Sequence, residues 1–338
     1  MNANITAQGW FALGERVPYD RRAKRIVRPG ETTDSPDVVH VFRRVVADGA
    51  PRDDAVWTTF LPGFPDGSFG WTSVDRYLHD DVLVPKLFVE YVGQGDSDKP
   101  ADYPYSTMER ADLVEALWAA QGITSTFVVT FDYSSLVALE LLSRQQERRD
   151  RGSEPATQIE SVLLINGGLF ADAHSHPWFT TPLLKTPLGK VGTWVAQRSR
   201  VAFNQMVKGL WSKEYNVTAE ELGEVYDAIS RRNGAAFMSN GAGFVDEHKA
   251  HADRWDLRRV FLASRGSVSF HIVGSEGDPF EPNQIVKARK RLGAYGLDIR
   301  VLPGGHLTTS EHPELLAQII QELGPKERRL TSLPYVPA

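Results

Sequence analysis

Asp132, Asp278 and His306 are residue types that could share one reaction, and each follows a strand-like run. Phe127-Val-Val-Thr-Phe131 reads as a short buried strand, and Leu136, Val137, Leu139, Leu141 and Leu142 carry the apolar spacing of a helix. Asp132 stands at the junction. So abrupt a strand-to-helix turn lifts its side chain above the sheet, and the positions flanking it, Thr130 and Ser134, are small. A carboxylate held there can attack an electrophilic carbon and form an ester, which water must then hydrolyse. The second step needs a base, and the base needs an orienting group. Gly304-Gly305-His306-Leu307 follows the candidate strand Ile299–Leu302 and supplies the base. Gly274-Ser275-Glu276-Gly277-Asp278-Pro279 follows the strand Phe270–Val273, which makes Asp278 the candidate orienting acid, with Glu276 on the same loop.

Charge that develops during such a reaction needs donors. Leu61-Pro62-Gly63-Phe64-Pro65 follows another strand, and Gly63 permits a tight turn. The backbone N–H groups of Phe64 and Tyr133 are the candidate pair. Gly93-Gln-Gly-Asp-Ser-Asp-Lys-Pro100 could be mistaken for a phosphate loop. The helix that should open after its glycines is missing, because Pro100 and Pro104 intervene, so a structural turn near the pocket is expected.

The elements that must position these residues alternate from about Val38 onward. Strands are expected at Val38–Val46, Val56–Leu61, Lys86–Tyr91, Thr126–Phe131, Ser161–Ile165, Ser269–Val273 and Asp298–Leu302, and helices at Met108–Ala120, Ser135–Arg148, Ile285–Leu292 and Pro313–Glu322. The pattern predicts an α/β fold with a mostly parallel sheet, helices on both faces and a site at the carboxyl ends of the strands. It breaks between Ala171 and Leu262, where helical segments near Gly189–Trp211, Ala219–Arg232 and Phe244–Arg254 replace strands. Thr218 and Glu221 form a capping box for the second. The expected organisation is core 1–170, inserted helical cap 171–262 and core 263–338. Trp178, Phe179, Trp194, Phe203, Trp211, Tyr215, Tyr226, Phe237, Phe244 and Trp255 concentrate in the cap, where they would pack it onto the core or line a pocket beneath it.

Composition narrows the class. With 338 residues and 41% hydrophobic content the chain can bury a large core, and a net charge of −5 gives no reason to expect nucleic acid. The basic run Arg21–Arg25 is expected to be a solvated face. There are no cysteines, which excludes disulfides and thiolate chemistry. The opening residues carry neither the basic nor the apolar region of a secretory leader, and no apolar run reaches the roughly 18 residues of a membrane span, so a cytoplasmic location is expected.

Taken together, Pro62-Gly-Phe-Pro, Gly93-Gln-Gly-Asp-Ser-Asp-Lys-Pro, Phe131-Asp-Tyr-Ser, Gly277-Asp-Pro and Gly305-His resemble the α/β-hydrolases of the epoxide hydrolase and haloalkane dehalogenase branch. Within it, Tyr105-Ser-Thr-Met-Glu-Arg-Ala-Asp-Leu-Val-Glu-Ala-Leu, Asp132-Tyr and Ile165-Asn-Gly-Gly-Leu-Phe are similar to the mesoderm-specific transcript group and its bacterial relatives. The chain departs from the pattern at Pro62 and Phe131, where the family has histidines, and at Ser134, where it has glycine. The resemblance implies Asp132 as nucleophile, His306 as base and Asp278 as its partner, with no metal or organic cofactor. Dehalogenases of the branch place Trp and Asn where this chain has Tyr133 and Phe64. Epoxide hydrolases use the Gly63-Phe64-Pro65 type of turn and a cap tyrosine as proton donor, for which Tyr226 and Tyr215 are candidates. The expected substrate is a small apolar epoxide, opened with water to a diol. Carbon–halogen or strained lactone and ester cleavage with the same triad is the alternative, and a non-catalytic binding protein with a decayed site is the reading from another class. Oligomeric state is left open.

Overall fold

The computed structural model describes residues 5–47, 52, 54–64, 66–78, 85–174, 199–232, 243–279 and 282–325. Trp178, Phe179, Trp194 and Phe237, and the first part of the helical segment expected at Gly189–Trp211, lie outside the described residues.

Among the described residues nine strands form one sheet: β1 (Glu15–Asp20), β2 (Arg25–Ile26), β3 (Val38–Val46), β4 (Val56–Leu61), β5 (Lys86–Val89), β6 (Ser125–Phe131), β7 (Gln158–Ile165), β8 (Ser269–Ser275) and β9 (Asp298–Leu302). Their order is β2-β1-β3-β5-β4-β6-β7-β8-β9. From β5 to β9 neighbours run parallel, whereas β2, β1 and β3 add an antiparallel edge. The expectation of a mostly parallel sheet holds; the β1–β2 hairpin lies upstream of the alternation read from the sequence. Arg21–Arg25 caps that hairpin, and its charges are spread over Asp37, Asp102, Asp112 and Glu31.

The helices are α1 (Ala7–Ala12), α2 (Thr72–Asp75), α3 (Thr107–Gln121), α4 (Ser134–Asp150), α5 (Arg200–Val207), α6 (Ala219–Ser230), α7 (Phe244–Ala250), α8 (Leu257–Ser264), α9 (Gln284–Leu292), α10 (Thr308–Glu311) and α11 (Pro313–Leu323). The central strands are apolar on both sides because helices cover both faces. In β6, Val128 joins one core with Leu136, Val162, Leu164 and Trp118, while Phe127, Val129 and Phe131 join the other with Phe60, Leu163 and Ile165.

The chain leaves β4 toward β5 on one side and β6 on the other, so the loops after β4 and β6 open a crevice at the carboxyl end of the sheet. Phe64 lies in the first of these loops and Asp132 in the second. The break in alternation is a cap-like helical region containing α5, α6 and α7, and the capping box at Thr218 and Glu221 starts α6. The next helix, α8, packs on α4 of the core. Among the described residues no helix is long and apolar enough to cross a membrane.

Candidate active site

Asp132 occupies the left-handed region at φ 56°, an uncommon and costly conformation for a residue with a side chain. It is pinned there. Its N–H donates to Ile165 O at 2.9 Å, and its own carbonyl accepts from Ser135 N at 3.1 Å as α4 begins. Gly63 lets the β4 loop close onto this turn: a Cβ there would lie 2.3 Å from Phe131 Cδ1 and 3.3 Å from Asp132 Cβ. The close approach brings the Phe64 N–H within 3.1 Å of Asp132 Oδ2.

The residues that depart from the family pattern are wired into the same junction. Ser134 Oγ donates to Pro62 O and meets Tyr91 Oη at 3.0 Å, tying the elbow to the β4 and β5 loops. Phe131 packs on the His306 ring at 5.4 Å between centroids. Tyr133 starts α4, and its buried ring lies beneath the Arg110 guanidinium, 4.6 Å away, and against Phe244 of α7.

His306 Nδ1 lies 3.0 Å from Asp278 Oδ2, and Nε2 lies 3.5 Å from Asp132 Oδ1. The imidazole and the Asp278 carboxyl are almost fully buried, whereas 13% of the Asp132 side chain stays open. Burial works against a charged imidazole, yet the carboxylates of Asp278 and Asp132 outweigh it and hold the His306 pKa well above its usual value. The structure thus brings Asp132, Asp278 and His306 together. Glu276 bonds through its backbone to Leu302 O.

The supporting residues were less legible. Asn166, at φ 47°, donates Nδ2 to His306 O at 2.7 Å and to Ser275 Oγ at 2.9 Å, and accepts from Ser275 N at 2.8 Å, so it clamps the acid and histidine loops together. Glu311 accepts from Gly305 N at 2.9 Å and from Ser212 N at 2.9 Å. Asn166 lies in the Ile165-Asn-Gly-Gly-Leu-Phe segment of the resemblance and directly after a strand, but no role was read for it from the sequence. Gly93–Pro100 is a turn locked to β3 through Asp98, which accepts from His40 N at 2.7 Å, and Asp96 pairs with Arg231 at the end of α6.

The cap-like region meets the centre at Phe244 on Tyr133 and at Leu210 O, which accepts from His306 N at 2.8 Å. Neither tyrosine named from the sequence is shown beside Asp132. Tyr215 donates to Glu221 at 2.6 Å, and burial followed by that hydrogen bond raises its pKa. Tyr226 packs edge-on against Phe203, with Arg200 over its ring.

This fold and crevice define an α/β-hydrolase, and the chain belongs to the alpha/beta hydrolase family, which it matches over residues 60–319. The mesoderm-specific transcript protein of Mus musculus is 26% identical over 66% of this chain, which spans 64% of that protein's length. LipZ of Mycobacterium tuberculosis (strain ATCC 25618 / H37Rv) is 27% identical over 76% of this chain and 84% of its own. Among solved structures, haloalkane dehalogenase DbeA from Bradyrhizobium elkani USDA94 superposes with a TM-score of 0.63 at 19% identity, over 84% of this chain and 93% of its own. A thermophilic esterase from Thermogutta terrifontis gives 0.60 at 17% identity, over 91% and 97%. At such identities these likenesses speak for the fold alone.

Proposed function

We propose that this chain is a hydrolase in which Asp132 attacks substrate carbon directly, and that its substrates are small apolar epoxides, opened to diols. The observation that carries the reading is the carboxylate at the elbow, divided between the Phe64 N–H at 3.1 Å and His306 Nε2 at 3.5 Å. A carboxylate with an unperturbed pKa of about 3.9 is ionised at neutral pH and needs no base to attack. Oδ2 is already held by a donor, so Oδ1 forms the bond to carbon. The resulting ester has its carbonyl oxygen at the Phe64 N–H, where negative charge develops when water attacks. Tyr133 N–H, at the start of α4, is the second candidate donor.

His306 acts in the second step. In the free enzyme two carboxylates favour the imidazolium. Ester formation removes the charge of Asp132, so the pKa of His306 falls, the imidazolium gives its proton to solvent and the ring becomes a base for water. Asp278 continues to orient it through Nδ1. Tyr133 and Phe64, where a dehalogenase of the branch would carry Trp and Asn, favour an oxygen leaving group over a halide. The cap-like segment, with 171–262 as its proposed bounds, would cover the reacting atoms.

Intact-protein mass spectrometry of a His306→Gln variant exposed to an epoxide panel tests this. An adduct should accumulate on the peptide carrying Asp132. A label on Ser134 or Ser135 would assign another nucleophile. If wild-type protein consumes no epoxide, haloalkane or ester, the site is a binding site.

A further inference from the structure

Gln94 lies on the turn after β5, where Gly93 at φ 96° and Gly95 at φ 44° let the chain reverse. Its backbone is fixed on both sides. Gln94 N donates to Tyr91 O at 3.1 Å, and Gln94 O accepts from Ser97 N at 2.9 Å. Lys99 Nζ donates to Gly95 O at 2.6 Å, and Asp96 pairs with Arg231 at the end of α6. Gln94 is only 1% exposed, so its side chain has little freedom of its own.

Gln94 Nε2 donates to Gly63 O at 2.6 Å. That oxygen and the Phe64 N–H belong to one planar trans peptide and point in opposite directions. Whatever fixes the oxygen therefore fixes the aim of the N–H, which donates to Asp132 Oδ2 at 3.1 Å. The preceding peptide is held separately, by Ser134 Oγ donating to Pro62 O with Tyr91 Oη behind it. Gly63 stands between the two held oxygens. It also bridges to Gly67, but as a glycine it restrains its own φ and ψ least. Two hydrogen bonds in line polarise each other, so the Gln94 amide also strengthens the Phe64 N–H as a donor. As a packing element Gln94 is a poor choice: among the described residues its Oε1 is buried with no hydrogen-bond partner. A buried amide left half satisfied costs stability that an apolar side chain of the same length would not.

We propose that Gln94 is a positioning residue: it holds the Gly63–Phe64 peptide so that the Phe64 N–H meets the charge that develops on Asp132 Oδ2 when water attacks the ester. The inference rests on the aspartate-nucleophile reading. The two steps load this hydrogen bond differently. Alkylation turns a carboxylate into a neutral ester, and the oxygen at Phe64 loses charge. Water then adds to Cγ, its proton passes to His306, and a full negative charge returns to Oδ2. The Cγ–Oδ1 bond breaks, its electron pair goes to Oδ1, and the departing alcohol takes the proton from His306. Asp132 is left to ionise again. Only the second step needs a donor aimed in advance at developing charge.

Rapid-quench mass spectrometry of wild type and Gln94→Met, with styrene oxide and 1-bromobutane as probes, follows formation and loss of the adduct on Asp132. Gln94→Met should keep alkylation by either probe within about threefold and slow loss of the adduct about tenfold or more, short of the roughly 10²- to 10³-fold cost of removing a donor itself. Gln94→Leu repeats the measurement if the methionine variant does not fold. Slower loss of the adduct alone supports the role. With wild type labelled on Asp132, equal slowing of both steps, slowing of neither, slowing of alkylation alone, or failure of both variants to fold overturns the role of Gln94 and leaves the nucleophile standing. If neither probe labels Asp132 in wild type or in His306→Gln, the aspartate-nucleophile reading falls and this inference with it.

Discussion

The N–H of Phe64 donates to Asp132 Oδ2 at 3.1 Å, so a residue after β4 selects which oxygen of a residue after β6 stays in place. In the proposed mechanism Oδ1 is then the oxygen transferred to carbon, and water must restore the carboxylate by attack at Cγ. A single turnover in ¹⁸O-water should place the heavy isotope in Asp132 and leave the first diol unlabelled. Label in the diol from the first turnover would mean that water attacks substrate directly.

Asp278 faces His306 Nδ1 at 3.0 Å, and its charge is the leading force raising the pKa of that ring against burial. Asp278→Asn should therefore leave alkylation of Asp132 within about threefold and slow hydrolysis of the ester about 10²- to 10⁴-fold. Rapid-quench mass spectrometry separates the steps. Equal losses in both would place Asp278 in folding rather than in orientation of the base.

Glu90 is fully buried, accepts from Ser68 N at 3.1 Å, and has its pKa pushed up to about 8, mainly by burial. The native state keeps a proton that the unfolded chain has released above about 4.5, so this group's stability is lost as pH rises toward about 8, at about 1.4 kcal/mol per unit. Glu90→Gln should melt higher than wild type at pH 9 and near it at pH 5. Lys99, lowered to about 8 by burial, is held up by the charge of Glu90, so the comparison reads the two groups as a coupled pair. Parallel melting curves across the range would remove Glu90 as the titrating group.

Asn166 satisfies His306 O, Ser275 Oγ and Ser275 N at once. Asn166→Ala strands those three groups in a buried site, and at about 1–3 kcal/mol per unsatisfied group the expected loss is about 3 kcal/mol or more. Urea unfolding measures it. A loss below about 1 kcal/mol would show that water replaces the amide.

Strand alternation, the helical break after Ala171 and the three chemical residues were legible because each depends on local pattern: apolar runs, turn residues and one polar residue at a strand end. β1 was missed because it lies before the regular alternation, although Val17 and Tyr19 bury alternate positions around Pro18. The wiring of Ser134 to Pro62 was not legible either. It depends on two loops 72 residues apart meeting at the switch point between β4 and β6.

By itself the sequence determined that a carboxylate stands at a strand-to-helix turn with an acid and a histidine after later strands. Only the tertiary structure decided which carboxyl groups are shielded from water. Asp66 and Asp132 are the same residue type on neighbouring loops, yet one is buried with its Oδ1 unpartnered and the other is partly open and held by the backbone N–H of Phe64. Desolvation and hydrogen bonding set the charge of a carboxyl group, and both are properties of what packs around it.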